Sequence, residues 1–126
     1  MIYGIGTDIV AVPRLQANLD RYGERFAARI LTEPELATFR ETADKAHFLA
    51  KRFAAKEALV KALGTGFRDG LSLRDIAVAN DALGKPTLAF SDKLADRLRA
   101  CGIDRPHLSL TDEREYAVAF VILECA

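Results

Sequence analysis

The sequence predicts an α+β fold, a single domain of residues 1–126 in which a long helix packs on a largely antiparallel sheet. Three observations support this prediction: strand-like segments at both ends of the chain, helical segments between them, and one helical run longer than the others. The chain has 126 residues, enough for one sizeable core and too few for two. Half of the residues are hydrophobic and the formal net charge is zero, which is typical of folded globular proteins.

The first predicted elements are a strand and two helices. Residues 2–12 are rich in β-branched side chains, and Pro13 ends this strand because proline favours the first turn of a helix. Helical patterns follow over residues 13–22 and 24–30, and Gly23 separates them.

Capping signals mark the next two helices. Thr32 with Glu35 three residues later is typical of a capping box, and it predicts a helix that continues to about residue 42. Asp44 is the expected cap of the long helix, and Gly64 is expected to end that helix in the left-handed conformation.

The second half of the chain alternates short strands with one helix. The predicted elements are a strand at 76–80, a turn at 83–86, a strand at 87–90, a helix from its cap Ser91 to Ala100, and strands at 107–111 and 116–123. The polar residues 112–115 favour an antiparallel hairpin between the last two strands. The final strand is apolar on both faces and therefore belongs in the centre of a sheet.

Alternation along the first strand places Gly4, Gly6 and Asp8 on one face. A dinucleotide-binding fingerprint is excluded, because Ile9 stands at the position of the third glycine and the strand continues where a helix should begin. The two glycines would instead allow another group to approach closely beside Asp8. Taken alone, Asp8 is equally compatible with a polar strand residue that faces water.

The long helix carries a carboxylate on its apolar side. Its apolar residues form a stripe at helical spacing, Leu49, Phe53, Val60 and Leu63. Glu57 lies within or beside this stripe, where a carboxylate rarely occurs without a partner. The partner is either Lys61, one turn later, or a metal ion, and the helix alone favours the ion pair.

Asp8 and Glu57 together indicate a magnesium site. Mg²⁺ commonly takes one or two protein carboxylates and leaves its other positions to water and substrate phosphates. Cations of the same helix, Arg52, Lys56 and Lys61, would then hold the phosphates. A solvated charged face explains Arg52 and Lys56 equally well.

Two further segments carry weaker signals for an anion. The turn Gly64-Thr65-Gly66 offers backbone N–H groups to a phosphate, but a simple helix stop is the more common meaning of such glycines. His107 and Ser109 share one face of a predicted strand, which is either solvated or lines a cleft as a set of anion ligands.

Charge and cysteine content exclude several classes of protein. Zero net charge argues against a nucleic-acid partner. Cys101 and Cys125 lack the spacing of a zinc site and are expected to be free thiols in a reducing compartment. No segment approaches the length of a membrane span and the amino terminus lacks a signal pattern, so we expect a cytoplasmic protein with no membrane partner.

Four segments in a fixed order resemble a known family. They are residues 4–10 with Arg14, residues 51–58 with 61–66, residues 84–86, and residues 107–110 before Tyr116-Ala117. In this combination the chain resembles the bacterial holo-acyl-carrier-protein synthases, the short class of 4′-phosphopantetheinyl transferases, over essentially its full length. The combination is highly specific, although none of the segments would be by itself.

The resemblance implies transfer of the phosphopantetheine arm of coenzyme A to a serine of an acyl carrier protein in fatty acid biosynthesis. It implies magnesium as cofactor, release of adenosine 3′,5′-bisphosphate, and a homotrimer with sites between subunits. Asp8 and Glu57 match the metal ligands and Lys61 matches a contact of the pyrophosphate, while the turn 64–66 and Ser109 become predicted contacts of coenzyme A. The proton of the serine would pass to Asp8, to Glu57 or to water; the residues do not choose, and a water relay is favoured because metal ligands are weak bases.

The resemblance also implies contacts farther from the metal. Arg52 and His107 match positions near the coenzyme A nucleotide, particularly its 3′-phosphate, and Arg14 matches a position that faces the acidic carrier protein. Two residues depart from the family pattern: Ala11 stands where many members have glutamate, and Asp112 stands where many have a second histidine. We therefore assign Asp112 no catalytic part.

Two alternatives from other classes remain at this stage. In the first, Arg52, Lys56 and Lys61 form a basic helix that binds nucleic acid or an acidic protein without catalysis. In the second, the chain is a structural oligomer in which Glu57 and Lys61 merely pair.

Overall fold

The computed structural model describes all 126 residues and contains five strands and five α-helices. In chain order the elements are β1 (Ile2–Ala11), α1 (Val12–Tyr22), α2 (Glu24–Ile30), α3 (Glu33–Glu41), α4 (Lys45–Leu63), β2 (Ile76–Asn80), β3 (Pro86–Phe90), α5 (Asp92–Ala100), β4 (Ile103–Asp112) and β5 (Tyr116–Cys125). A single 3₁₀ turn, Leu73–Asp75, precedes β2. None of the helices is long and apolar enough to span a bilayer.

The strands form two antiparallel sheets, so the predicted α+β class is confirmed. The larger sheet has the order β1-β5-β4, and β2 pairs with β3 in a separate hairpin. The last strand lies in the centre of the larger sheet, as its apolar character on both faces predicts. On the side covered by α4 its side chains are fully buried, namely Ala117, Ala119, Val121 and Leu123.

Local capping explains where the helices begin and end. Glu35 and Thr32 form the predicted capping box of α3. The Asp44 carboxylate accepts a hydrogen bond from the backbone N–H of His47 at the start of α4. At the other end Gly64 adopts φ +81°, and its N–H donates to the carbonyl oxygen atoms of Val60 and Lys61.

Four strands differ from the predicted bounds. β3 begins one residue earlier, at Pro86, and β5 ends two residues later, at Cys125. β4 begins at Ile103 rather than at residue 107, because a polar segment and Pro106 conceal the strand pattern. Proline is tolerated there since β4 is an edge strand. β1 ends at Ala11, and α1 starts one residue earlier than predicted, at Val12.

Helix α4 is central to the core, and 13 of its 19 residues are buried. It packs on β1 across Gly4 and Gly6. A Cβ atom at either glycine would lie 2.0 Å from a backbone oxygen of α4, that of Ala62 or Ala58. The prediction that these glycines allow a close approach beside Asp8 is confirmed, and the approaching group is the backbone of α4.

Candidate active site

Asp8 and Lys61 meet where α4 crosses β1. Asp8 lies on the face of β1 that packs on α4, and its side chain is 15% exposed. Lys61 is on the last turn of α4, where its Nζ atom donates to Asp8 Oδ1 at 3.0 Å and to the backbone oxygen of Thr7 at 3.1 Å. Asp8 is therefore a paired, mostly buried carboxylate rather than a solvated strand residue.

Glu57 lies one helical turn before Lys61, but the two do not form the ion pair that the helix alone favours. Lys61 is paired with Asp8, and Glu57 has no ion-pair partner. Burial raises the pKa of Glu57, the Asp8 carboxylate raises it further, and Lys61 and Arg14 act in the opposite direction. The carboxylates of Asp8 and Glu57 are therefore close enough to repel each other. Lys61 supplies the only side-chain hydrogen bonds between α4 and β1.

This donor set fits a hard divalent cation. The proximity of the Asp8 and Glu57 carboxylates is unfavourable without a positive charge between them, and two carboxylates are the usual protein share of a Mg²⁺ site. No group of three or more His, Cys, Asp or Glu side chains that could hold a metal is present anywhere in the chain. A metal here would accordingly depend on water and phosphate oxygen atoms for its remaining ligands.

The turn after α4 offers two free backbone donors near this group. The N–H of Gly64 is used in the helix cap, so the helix-stop interpretation is correct for that residue. The N–H groups of Thr65 and Gly66 donate to no backbone oxygen. Gly66 has φ +67°, and a Cβ atom there would meet nothing within 4 Å, so this turn is open to an incoming group.

Arg14 is exposed on α1 at the edge of the same group. Its Cζ atom lies 6.0 Å from the ring centre of Phe53, which precedes Glu57 by one helical turn. Its charge is close enough to lower the pKa of Glu57. Arg14 is thus placed between the carboxylates and the outer surface of α1.

Arg52 and Lys56 lie on another side of α4, so the hypothesis of a phosphate-binding row is wrong for Lys56. That side chain is fully buried and bonds to Glu35 and to the backbone oxygen of Ile30. Arg52 is 8% exposed and stacks on Phe48 at 3.9 Å. A basic helix face for nucleic acid or an acidic protein is not formed, because only Lys61 of the three cations is exposed.

The Nε atom of Arg52 is an exception among buried polar side-chain atoms. It is the one such atom without a hydrogen-bond partner. An unpaired donor on a buried guanidinium is costly, and an anionic acceptor would relieve that cost.

His107 and Ser109 lie on the other face of the larger sheet from Asp8. They stand opposite Ile122 and Phe120 of β5, on the side that α4 does not cover. The Nε2 atom of His107 is 2.5 Å from Oε1 of Glu124. His107 lines a cavity of about 180 Å³. The other lining residues are 85–88 of the β2–β3 hairpin and 106 and 108 of β4.

Within one chain the predicted site residues therefore form separate groups. The structure brings together Asp8, Glu57 and Lys61, with residues 64–66 directly after the helix. It does not bring Arg52, His107 or Ser109 into contact with them.

The two departures from the family pattern lie at the ends of strands. Ala11 is the N-cap of α1, where it provides no side-chain hydrogen bond. Asp112 is exposed at the end of β4, and its charge helps to raise the pKa of His47 at the start of α4. The larger causes of that shift are the hydrogen bond to the Glu113 carbonyl and the Asp44 carboxylate.

Sequence reasoning missed the partnership of Lys56 with Glu35. The capping box marked Glu35, but nothing in the local pattern indicated that its carboxylate also receives a lysine from 21 residues away. The spacing of Lys56 from Arg52 suggested an exposed row of charge instead.

Comparison with known proteins identifies similar chains. The family model of the 4′-phosphopantetheinyl transferase superfamily matches residues 4–121. A holo-[acyl-carrier-protein] synthase of Halorhodospira halophila is 62% identical over 123 residues, which cover 98% of each chain.

Two crystal structures have the same fold. The holo-[acyl-carrier-protein] synthase of Neisseria meningitidis superposes with a TM-score of 0.94 at 48% identity, covering 98% of this chain and 99% of that one. The Bacillus anthracis synthase in complex with CoA (3′,5′-ADP) gives a TM-score of 0.83 at 41% identity, covering 100% of this chain and 99% of that one.

Proposed function

The chain belongs to the 4′-phosphopantetheinyl transferase superfamily and is a transferase, and on that premise we propose that it is a magnesium-dependent holo-acyl-carrier-protein synthase of fatty acid biosynthesis. Residues 1–126 act as one transferase domain. The proposed reaction joins the serine oxygen of the carrier to the phosphorus of the phosphopantetheine arm and breaks the bond from that phosphorus to adenosine 3′,5′-bisphosphate. The serine proton is released.

One observation carries the proposal. Asp8 of β1 and Glu57 of α4 converge with Lys61 at a contact that two glycines make possible. When bound there, Mg²⁺ would neutralise charge that develops on the leaving phosphates. Asp8 and Glu57 would hold the metal.

The remaining groups around the carboxylates suit a pyrophosphate. Lys61 supplies a positive charge at the end of its helix, where it can donate to a phosphate oxygen as well as to Asp8. The free N–H groups of Thr65 and Gly66 are further donors, directly after the helix. These groups orient the scissile phosphate, which is the main contribution a protein makes to phosphoryl transfer.

We assign the nucleotide end of coenzyme A to Arg52 and His107, with Ser109 beside it. The unpaired Nε donor of Arg52 favours an anionic ligand such as the 3′-phosphate. The cavity next to His107 has a lysine, Lys85, and a hydroxyl, that of Thr87, among its lining residues. The crystal structure of the Bacillus anthracis relative is a complex with CoA (3′,5′-ADP), which supports coenzyme A as the substrate here.

We further propose that the protein is a homotrimer with its sites between subunits. His107 and Ser109 occupy the opposite sheet face from Asp8, so a neighbouring protomer is needed to complete one site from both groups. That face also exposes an apolar patch that nothing in the chain covers, comprising Tyr3, Ile5, Ile9, Tyr116 and Phe120. Light scattering should give three times the chain mass of 13.8 kDa. Ile9→Asp should give monomers without activity, and a fully active wild-type monomer would exclude this assembly.

Arg14 is the proposed contact of the acidic carrier protein. It is exposed beside the carboxylate group, so a carrier docked there would present its serine near Asp8 and Glu57. A surface cavity of about 560 Å³ along the end of α1 and α2 adds two more arginines, Arg25 and Arg29, beside aromatic side chains.

Cys101 and Cys125 are free thiols, which suits the reducing cytoplasm that we propose as the location.

The mass of the carrier provides the direct test. Incubation of the protein with coenzyme A, Mg²⁺ and an apo acyl carrier protein should increase the carrier's mass by one phosphopantetheine unit. The same mixture with a chelator in place of Mg²⁺ should leave the mass unchanged. No mass change with fatty-acid or polyketide carriers, under conditions in which the protein is folded, would refute the proposal.

A further inference from the structure

A lysine and a glutamate are buried together in the core, next to the proposed metal ligand. Lys56 is 0% exposed and Glu35 is 4% exposed. The Lys56 Nζ atom donates to Glu35 Oε1 and to the backbone oxygen of Ile30, both at 2.6 Å. Lysine is among the residues that are least often fully buried, so this arrangement needs a physical reason.

The Glu35 carboxylate connects three elements of the fold. Its Oε1 atom accepts from the N–H of Thr32 at 2.9 Å, which caps α3, and from Lys56 of α4. Its Oε2 atom accepts from the backbone N–H of Val78 in β2 at 2.8 Å. The β2–β3 hairpin is therefore bonded to α4 through two buried charges.

Stability alone does not account for such a pair. Removing two charges from water is unfavourable, and apolar side chains of similar volume often replace a buried ion pair without loss of stability. Directional hydrogen bonds, in contrast, set the relative placement of the elements more narrowly than apolar packing does. The Glu35 carboxylate has every one of its partners in a different element or at a helix end, which suits a role in placement.

We propose that Lys56 is a positioning residue. It acts through Glu35 to fix the position of the β2–β3 hairpin relative to the part of α4 that carries Glu57. Lys56 directly precedes Glu57 in the chain, so its bonds to α2 and α3 fix the rotation of α4 at the carboxylate. The hairpin carries Lys85 and Thr87, which line the cavity assigned to the nucleotide. The inference rests on the proposed function, because in the proposed trimer each chain supplies its carboxylates to one site and its nucleotide cavity to a neighbouring site, and Lys56 helps to place both.

Two variants separate placement from stability. Lys56→Met keeps an unbranched side chain, shorter by the terminal amine, but leaves the Glu35 charge buried without a cation, so it should lower the unfolding midpoint strongly. Adding Glu35→Gln removes that charge and keeps a residue that suits the capping box, so the double variant should recover much of the midpoint. Leu49→Ala is the matched control, because it creates a cavity in the same helix two turns before Glu57 and removes no charge or hydrogen bond.

The enzyme assay is run well below each midpoint, with coenzyme A as the varied substrate. In the double variant we expect the KM for coenzyme A to rise roughly tenfold, with a smaller loss of kcat, because a small displacement at a binding site is costly. Leu49→Ala should leave this KM within about twofold of wild type. Wild-type KM in the double variant, or an equal rise in Leu49→Ala, would overturn the inference.

Hydrogen exchange tests the same inference without the reaction. Amide protection of residues 76–90 should fall in both Lys56 variants and be retained in Leu49→Ala. If the wild type transfers nothing while protection falls as expected, the proposed function fails and the positioning role stands. If the wild type is active and the variants keep both their KM and their protection, the positioning role alone is wrong.

Discussion

Replacing Gly6 with alanine would test how closely α4 must approach β1 for the site to form. The added Cβ atom would lie 2.0 Å from the backbone oxygen of Ala58 and 2.7 Å from the backbone nitrogen of Ala62. Ordinary contact begins at 3.4 Å, so α4 must move by roughly 1.4 Å, and no flexible side chain is available to absorb the change.

The expected cost is large for a single methyl group. Overpacking of a core costs about 1–3 kcal/mol, and we expect the upper end of that range because both obstacles belong to helix backbone. A displacement of that size would also extend the Lys61–Asp8 distance from 3.0 Å beyond the range of an ion pair. The carboxylates would separate with it, so we expect transfer activity to fall by about 10²-fold or more.

Urea unfolding followed by circular dichroism gives the stability, and the carrier mass assay gives the activity. Gly102→Ala is the matched control, because Gly102 has φ +76° and no atom within 4 Å of an added Cβ. That variant should lose about 1–2 kcal/mol through backbone strain and keep its activity. If Gly6→Ala lost no more stability than Gly102→Ala and remained fully active, the close helix–strand contact would not be what forms the site.

Three further predictions concern single side chains. Glu57→Gln should abolish transfer, and it should abolish the thermal stabilisation by coenzyme A with Mg²⁺. The unfolding midpoint without ligands should stay the same or rise, because repulsion between Glu57 and Asp8 is relieved. Wild-type turnover in this variant would contradict the metal role. Arg14→Glu should raise the KM for the carrier at least about tenfold, and this KM should no longer depend on salt concentration. Arg99→Glu, a change at another exposed arginine, should leave the KM for the carrier unchanged. Equal effects of the two variants would exclude specific docking through Arg14. In its doubly protonated form His47 donates hydrogen bonds to the Glu113 oxygen and to Asp44, and these bonds raise its pKa. Its contribution to stability is therefore present below pH of about 6.5 and is lost as the pH rises through the folded pKa. The stability difference between wild type and His47→Gln should therefore shrink from pH of about 5.5 to pH of about 8.5, and a constant difference would contradict this linkage.

Much of the fold was predictable because the signals are local. Thr32 and Glu35 are three residues apart, Asp44 bonds to a backbone group three residues later, and Gly64 ends its helix through its own backbone conformation. The central position of β5 was predicted from its composition, because strands that are apolar on both faces are typical of the centre of a sheet. The start of β4 was missed, since Pro106 is acceptable in a strand only when that strand lies at an edge.

The site was predictable in its residues but only partly in its contacts. Asp8, Glu57 and Lys61 were singled out by residue type and spacing together with the family resemblance, and the structure brings them together. The placement of Arg52, His107 and Ser109 relative to these three was not predictable, because tertiary packing decides which face of the helix and of the sheet is covered.

The sequence by itself determined the element order, the caps and the residue types available at the site, since each depends on neighbours within a few positions. Only the tertiary structure decided which charges pair. Lys61 is one helical turn from Glu57, yet it bonds to Asp8, which lies 53 residues earlier in the chain. Lys56 was predicted to lie on an exposed charged face, but it is buried and bonds to Glu35. The physical reason is that the energy of a charge depends on its burial and on every acceptor around it, and distant segments supply both only after the chain has folded.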